Sequence, residues 1–284
     1  MRILTQDEFP PQLLEIPEPP KELWCVGEPP KIDAIYLVVV GSRHHTQYGK
    51  EVCKKLIQGL SGYPITIVSG LAIGMDTIVH QSALEAGLTT IAFPGSGLGN
   101  ESLYPKSNWR LANTIVESGG CLLSELSPDT KAAPWTFPKR NRLMAGIAHA
   151  VLLVEAEEKS GTLITARLGL DYNREVLAIP GSIFSINSFG TNRLIKEGAQ
   201  PVTSSEDILD ALGLDRVLAI SERQVIETTD EEKEILALLK EPKDKDTLIR
   251  ELGMPITEIH SLLTVMEIKG LIKDTGTLVI RTKG

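Results

Sequence analysis

The sequence predicts an α/β fold, with a doubly wound, mostly parallel, Rossmann-like sheet followed by a small winged helix-turn-helix domain. Short apolar runs alternate with amphipathic segments between residues 31 and 213, as expected when helices cover both faces of a parallel sheet. The pattern changes near Thr229, where three short amphipathic helices and a hairpin follow one another. That order is typical of a winged helix.

Six short apolar runs are the predicted strands. The clearest covers residues 36–40 and ends at Gly41, as a strand buried on both faces should. The other runs cover 65–69, 89–93, 121–124, 151–154 and 176–179. The segments between them predict helices over 46–60, 74–86, 106–117, 139–148 and 161–173. Repeated strand–helix units of this kind predict a doubly wound sheet.

The chain is predicted to contain two domains, an N-terminal arm and a linker. The arm is rich in proline and is expected to be extended over the main domain, because proline disfavours helix. The predicted ranges are 1–30 for the arm, 31–213 for the Rossmann-like domain, 214–228 for the linker and 229–284 for the winged helix. Thr229 and Glu232 have the spacing of a helix capping box.

The composition argues against several classes of protein. The net charge of −8 disfavours a protein coated in positive charge, and no apolar run reaches the roughly 20 residues that span a membrane. The acidic, proline-rich N-terminus does not resemble a signal peptide. Cys25, Cys53 and Cys121 are far apart, which predicts free buried thiols and a location in the reducing cytoplasm.

No catalytic, metal-binding or cofactor-binding constellation is apparent. The five histidines lack the spacing of metal ligands, and no serine–histidine–acid set or carboxylate pair is recognisable. We therefore predict a protein without catalytic residues, metal or cofactor. Tyr48 and Trp135 could stack on nucleobases, but core positions are the expectation for both.

A cation cluster in the sequence F-P-K-R-N-R at residues 137–142 is the strongest single signal. It holds Lys139, Arg140 and Arg142, and no acidic residue occurs between Asp129 and Glu155. A solvated charged face is the usual explanation for a run of charges. Here the apolar neighbours and the absence of acids nearby in sequence favour a binding site for a polyanion.

Three turns that follow predicted strands complete the candidate site, because ligands bind beyond the carboxyl ends of parallel strands. The first holds a glycine, a hydroxyl and a cation, which suit a phosphate, although an ordinary turn explains it too. The second and third offer backbone N–H groups at helix starts, although simple helix caps explain them equally. The candidate residues in these turns are Gly41, Ser42, Arg43, Ser69, Gly70, Gly74, Ser160, Gly161, Thr162 and Thr165.

Taken in order, these motifs resemble the DNA processing protein A family, also called DprA or Smf. The resemblance covers Gly41-Ser42-Arg43, the segment 69–76, F-P-K-R-N-R at 137–142, the segment 160–166 and Pro180-Gly181 with Gly190-Thr191-Asn192. Met75 and Thr162 stand where the family usually has isoleucine and serine. The helical domain that often precedes the core in this family has no counterpart before residue 9.

The resemblance implies a function that the spacing of residues does not show. Family members bind single-stranded DNA, dimerise through the Rossmann-like domain, protect incoming DNA and load the recombinase RecA in natural transformation. It also implies a DNA site made of Arg43, Lys139, Arg140, Asn141 and Arg142, with Ser69, Gly70, Gly74, Ser160, Gly161 and Thr162 beside them.

Two alternatives concern the function of each domain. The Rossmann-like domain could be a nucleotide-processing enzyme of the related LOG-type phosphoribohydrolases, but the glutamate of their motif is missing and Thr165 stands in its place. The winged helix could bind duplex DNA. Its 9 basic against 11 acidic residues from 229 onward favour a protein contact instead.

Overall fold

A nine-stranded mixed sheet lies at the centre of the first of two units, Met1–Ala219. The computed structural model describes residues 1–214, 229–239, 243–252, 254–268, 272–274 and 279–281. The strands in that part are β1 (Arg2–Thr5), β2 (Glu22–Gly27), β3 (Ile35–Val40), β4 (Ile65–Ser69), β5 (Thr90–Ala92), β6 (Cys121–Ser124), β7 (Ala150–Leu153), β8 (Glu175–Ala178) and β9 (Gln200–Pro201).

The strands follow the order β1-β2-β6-β5-β4-β3-β7-β8-β9 across the sheet. From β6 to β9 all neighbours are parallel, whereas β1 and β2 are antiparallel. The predicted parallel α/β sheet is therefore confirmed. The chain moves outward from β3 in both directions, which brings the carboxyl ends of β3, β4 and β7 together at the point where the strand order reverses.

Helices cover both faces of this sheet. They are α1 (Pro11–Leu14), α2 (Gln47–Gly59), α3 (Met75–Glu85), α4 (Trp109–Glu117), α5 (Thr136–Ile147), α6 (Thr162–Asp171), α7 (Phe189–Lys196) and α8 (Ser205–Ala211). Because side chains alternate along a strand, Val38 of β3 packs with α5, α6 and α7, and Val39 packs with α2, α3 and α8. Both faces of β3 are therefore buried, as its continuous apolar sequence predicts.

The N-terminal segment differs from the predicted extended arm. β1 and β2 extend the sheet through the antiparallel pairing of β2 with β6, and α1 begins at Pro11. Proline is tolerated at the first helical position because the N–H that it lacks would be unpaired there. Leu13 and Ile16 pack closely on Gly146 of α5. The expectation that proline excludes helix from this segment was wrong.

The second unit, Ile220–Gly284, has the order of elements predicted for a winged helix. It contains α9 (Asp230–Leu238), α10 (Lys245–Leu252), α11 (Ile256–Ile268) and the antiparallel pair β10 (Ile272–Asp274) and β11 (Val279–Arg281). Thr229 caps α9, since its hydroxyl accepts from the Glu232 amide at 3.3 Å. Apart from Leu214, the predicted linker 214–228 lies outside the described residues.

Among the described residues, no helix combines the length and the apolar character that crossing a bilayer requires.

Candidate functional site

A cavity of about 370 Å³ opens at the carboxyl ends of the central strands; we call it the cleft. It is lined by the turn after β3, the start of α3, one side of α5 and the loop between β7 and α6. Predicted site residues that line it are Gly41, Ser42, Arg43, Arg140, Asn141, Ser160, Gly161, Thr162 and Thr165. The structure thus brings together residues from three strand ends, as the sequence indicated.

Arg43 is an exposed cation of the cleft. Its guanidinium lies over the ring of Phe137, with the central carbon 5.2 Å from the ring centroid, which orients the group through a cation–π contact. Within residues 1–214 no acidic side chain forms an ion pair with it. Its planar fork of donors is therefore available to a phosphate.

Gly74 allows the Arg43 turn to lie against α3. Its φ of +85° is a conformation that other residues rarely adopt, and a Cβ there would be 2.3 Å from the Arg43 carbonyl oxygen. The Met75 amide donates to the Ser42 carbonyl at 3.1 Å. Gly74 is accordingly a positioning residue behind the cleft rather than part of its lining.

Arg140 is buried and serves chiefly to hold three segments together. One terminal nitrogen donates to the carbonyl oxygens of Gly70, at 2.6 Å, and Phe93. Burial lowers the pKa of Arg140 to about 10, and the nearby carboxylate of Asp76 opposes that change. A Cβ on Gly70 would lie 2.1 Å from the guanidinium. The lack of a side chain at Gly70 therefore makes room for the Arg140 guanidinium.

The start of α3 does not present the free amides that the sequence predicts. Asp76 is buried and accepts a hydrogen bond from the Ala72 amide at 3.1 Å, so an internal carboxylate already occupies the anion position. Burial raises the pKa of Asp76, while the charge of Arg140 opposes the rise. Ser69 is fully buried, and its hydroxyl donates to the Val39 carbonyl at 2.7 Å.

Two cations of the F-P-K-R-N-R run share one acidic partner, Glu125. Arg142 donates two hydrogen bonds to the Glu125 carboxylate, at 2.6 and 2.5 Å, and its side chain is only 11% exposed. The Lys139 ammonium lies 3.2 Å from the same carboxylate. The expectation that no acid neutralises this cluster was wrong, because Glu125 follows β6 and reaches α5 only in the folded chain. Neither cation lines the cleft.

The start of α6 is also satisfied internally. The Ser160 hydroxyl accepts from the Thr162 amide at 3.2 Å, and the Thr162 hydroxyl donates to the Gly41 carbonyl at 3.2 Å. The next two amides donate to the carbonyls of Ser160 and Gly161. The predicted bare amides are therefore mostly bonded within the chain, and the Thr162 hydroxyl joins the start of α6 to Gly41, directly after β3.

Lys159 is the functional candidate that sequence reasoning missed. It lines the cleft, is exposed, and forms no ion pair within residues 1–214. Its position directly before Ser160 was the available signal. Tyr48 and Trp135 were expected in the core, yet they are 47% and 58% exposed, so that expectation was wrong.

Comparison with known proteins identifies the family. The model of "DNA recombination-mediator protein A" matches residues 1–213, and that of the "DprA winged helix domain" matches residues 220–275. Protein Smf of Escherichia coli is 36% identical over 93% of this chain and 72% of its own length. DNA processing protein DprA of Streptococcus pneumoniae is 41% identical, with 72% of each chain covered.

Two solved structures of DNA processing protein A agree with this assignment. The Streptococcus pneumoniae protein is 40% identical, with a TM-score of 0.68 over 74% of this chain and 73% of its own. The Helicobacter pylori protein, described for its single-stranded DNA binding mode, is 29% identical, with a TM-score of 0.66 over 75% of this chain and 96% of its own. The chain therefore belongs to the DNA recombination-mediator protein A family.

Proposed function

We propose that this chain binds single-stranded DNA in the cleft and holds the strand by its phosphates. The observation that carries the proposal is the pair of cations, Arg43 and Lys159, that line the cleft without an acidic partner in residues 1–214. The single-stranded DNA binding described for the Helicobacter pylori relative supports it. Phosphate contacts of this kind give affinity with little sequence preference.

The size of the cleft favours a single strand over a duplex. Its volume of about 370 Å³ is at the lower end of the range for small-molecule pockets, so it accommodates parts of a flexible strand. Paired and stacked bases of a duplex cannot enter a space of this size. Arg140 and Asn141 reach the cleft only from buried positions, which leaves the exposed cations to contact the phosphates.

The role proposed for this binding is the one that the family implies. The bound strand is protected and handed to RecA during natural transformation, in the cytoplasm, by a homodimer of this chain. The winged helix contributes a protein contact. Sedimentation of the full chain, alone and with RecA, measures both associations.

Binding requires no catalytic step, and we propose that the chain is not an enzyme. The alternative is a nucleotide-processing enzyme of the LOG type. At the position of that motif's glutamate lies Thr165, which is buried. Incubation with nucleoside monophosphates followed by chromatography separates the two functions, because release of a free base would favour the alternative.

We expect a single-stranded oligonucleotide to bind more tightly than a duplex of the same length. The two exposed cations that line the cleft, Arg43 and Lys159, predict a slope of log K against log salt near −1.4, about −0.7 for each phosphate neutralised. Electrophoretic shifts at several salt concentrations measure both quantities. Tighter binding of the duplex would contradict the proposed function.

A further inference from the structure

A second cavity, of about 640 Å³, opens beside the cleft; we call it the groove. Its lining residues are Thr46, Tyr48, Glu155, Pro180, Gly181, Ser182, Ser185 and Ser188. We propose that the groove is a nucleobase-binding subsite through which the DNA strand continues after it leaves the cleft. The proposal rests on the proposed function, since it extends the path of the same strand.

The groove and the cleft share one segment of chain. His44 lines the cleft, and Thr46, two residues later, lines the groove. Asn187, from the turn on the far side of the groove, donates to the His44 carbonyl at 2.6 Å. The groove lies at the ends of β7 and β8, and adjacent strands are about 4.8 Å apart. A strand that leaves the cleft along the carboxyl edge of the sheet therefore enters the groove next.

Tyr48 provides a fixed aromatic surface in the groove. Its hydroxyl donates to the Pro180 carbonyl at 2.8 Å, while nearly half of the residue is exposed. The hydrogen bond holds the ring in place, so little conformational freedom remains to be lost when a base stacks on it. The neighbouring Glu155 does not present a free carboxylate, because both of its oxygens accept hydrogen bonds from Thr46.

Phe184 carries a second aromatic ring; it does not line the groove itself but lies between Ser182 and Ser185, which do. The side chain is 92% exposed. Asn192 forms hydrogen bonds with both backbone groups of Gly181, at 3.1 and 3.0 Å, and the Asn187 carbonyl accepts from the Ala156 amide at 2.8 Å. An exposed ring on a turn that is hydrogen-bonded at both ends is available to a base that stacks on it.

The groove has the chemistry of a site for bases rather than for phosphates. No lysine, arginine or histidine is among its lining residues, in contrast to the cleft. The serine hydroxyls can donate to or accept from base edges, and every base has a face that stacks on an aromatic ring. We therefore expect the cleft to contact mainly the phosphates of the strand and the groove to contact mainly its bases.

The test compares oligothymidylates of about 3 and about 12 nucleotides, lengths that lie below and within the range of single-strand site sizes. Tyr48→Ala combined with Phe184→Ala is expected to lower affinity for the longer strand at least tenfold, and to leave affinity for the shorter one within about twofold. Phe184→Trp alone keeps both aromatic rings and the Tyr48 hydroxyl, and is the matched control. Fluorescence anisotropy measures affinity, and thermal unfolding checks that the variants fold.

Each other outcome overturns the proposal. If affinity falls equally for both lengths, Tyr48 and Phe184 contact the part of the strand that lies in the cleft. If affinity falls for neither length, the DNA does not pass through the groove. A variant that loses affinity only because it no longer self-associates, as sedimentation would show, assigns the surface to a second copy of the chain. If the wild-type chain binds neither length, the proposed function itself fails.

Discussion

Replacing Arg140 with methionine is expected to lower the free energy of unfolding by about 3–5 kcal/mol, the usual cost of removing one partner of a buried charged pair. The change leaves the carbonyls of Gly70 and Phe93 without their donor. It also leaves Asp76 buried without the charge that opposes the rise of its pKa. Urea unfolding measured by circular dichroism gives the value.

The pH dependence of the fall in unfolding free energy shows whether the unpaired Asp76 carboxylate causes it. A carboxyl whose pKa is raised in the folded state stabilises the fold as the pH falls, because the folded state then binds more protons than the unfolded state. Without Arg140 the pKa of Asp76 rises further. The loss caused by Arg140→Met should accordingly shrink between about pH 7 and about pH 5, and Asp76→Asn in the same chain should remove this dependence.

Arg43→Met is the matched control, since it removes an exposed arginine of the same cleft. We expect a change in unfolding free energy within about 0.5 kcal/mol. If Arg140→Met were as mild as Arg43→Met, the buried role assigned to Arg140 would be wrong. Its guanidinium would then have to be counted among the cations that face DNA.

Most of the fold could be predicted because the central strands carry their own signal. Strands such as β3 are buried on both faces, so burial appears as a continuous apolar run, and the turn residues after it mark the carboxyl edge of the sheet. The N-terminal segment has no such signal. β2 joins the sheet through antiparallel pairing with β6, almost a hundred residues later in the chain, and nothing local in the sequence specifies that partner.

The ion pairs of the candidate site could not be predicted as the fold was, because they depend on neighbours in space. Glu125, which follows β6, pairs with Arg142 and Lys139. It lies outside the stretch between Asp129 and Glu155 that contains no acidic residue, so the sequence did not indicate the pairing. The motif residues Ser69, Gly70 and Gly74 do not line the cleft. Their close contacts and hydrogen bonds are with other parts of the chain. A motif shows which residues matter and does not show which of them face the ligand.

The exposure of Tyr48 could not be predicted for a similar reason. Aromatic residues on an amphipathic helix are usually buried, and α2 does bury Cys53, Leu56 and Ile57. Tyr48 lies in the first turn of α2, beyond the edge of the sheet, where its hydroxyl finds the Pro180 carbonyl. That contact comes from the loop after β8, which the spacing within α2 cannot reveal.

The largest expected effect on DNA binding comes from replacing both Arg43 and Lys159 with alanine. Each hydrogen bond to a charged group contributes about 1.5–3 kcal/mol, so the double variant should bind single-stranded DNA at least about 100-fold more weakly. The slope of log K against log salt should become shallower by about 1.4, since two phosphate contacts are lost. Anisotropy titrations at several salt concentrations measure affinity and slope together.

The slope separates this assignment from a general effect of charge. Lys31→Ala combined with Lys55→Ala removes the same charge from exposed positions outside the cleft, and it should leave the slope unchanged within error. Arg142→Ala should lower the free energy of unfolding and leave the slope of log K against log salt unchanged. The reason is that the Arg142 charge is already paired with Glu125. If the Arg142 variant flattened the slope and the Arg43–Lys159 variant did not, the phosphates would lie along the outer side of α5. The F-P-K-R-N-R run would then contact DNA through the cations that this structure pairs with Glu125.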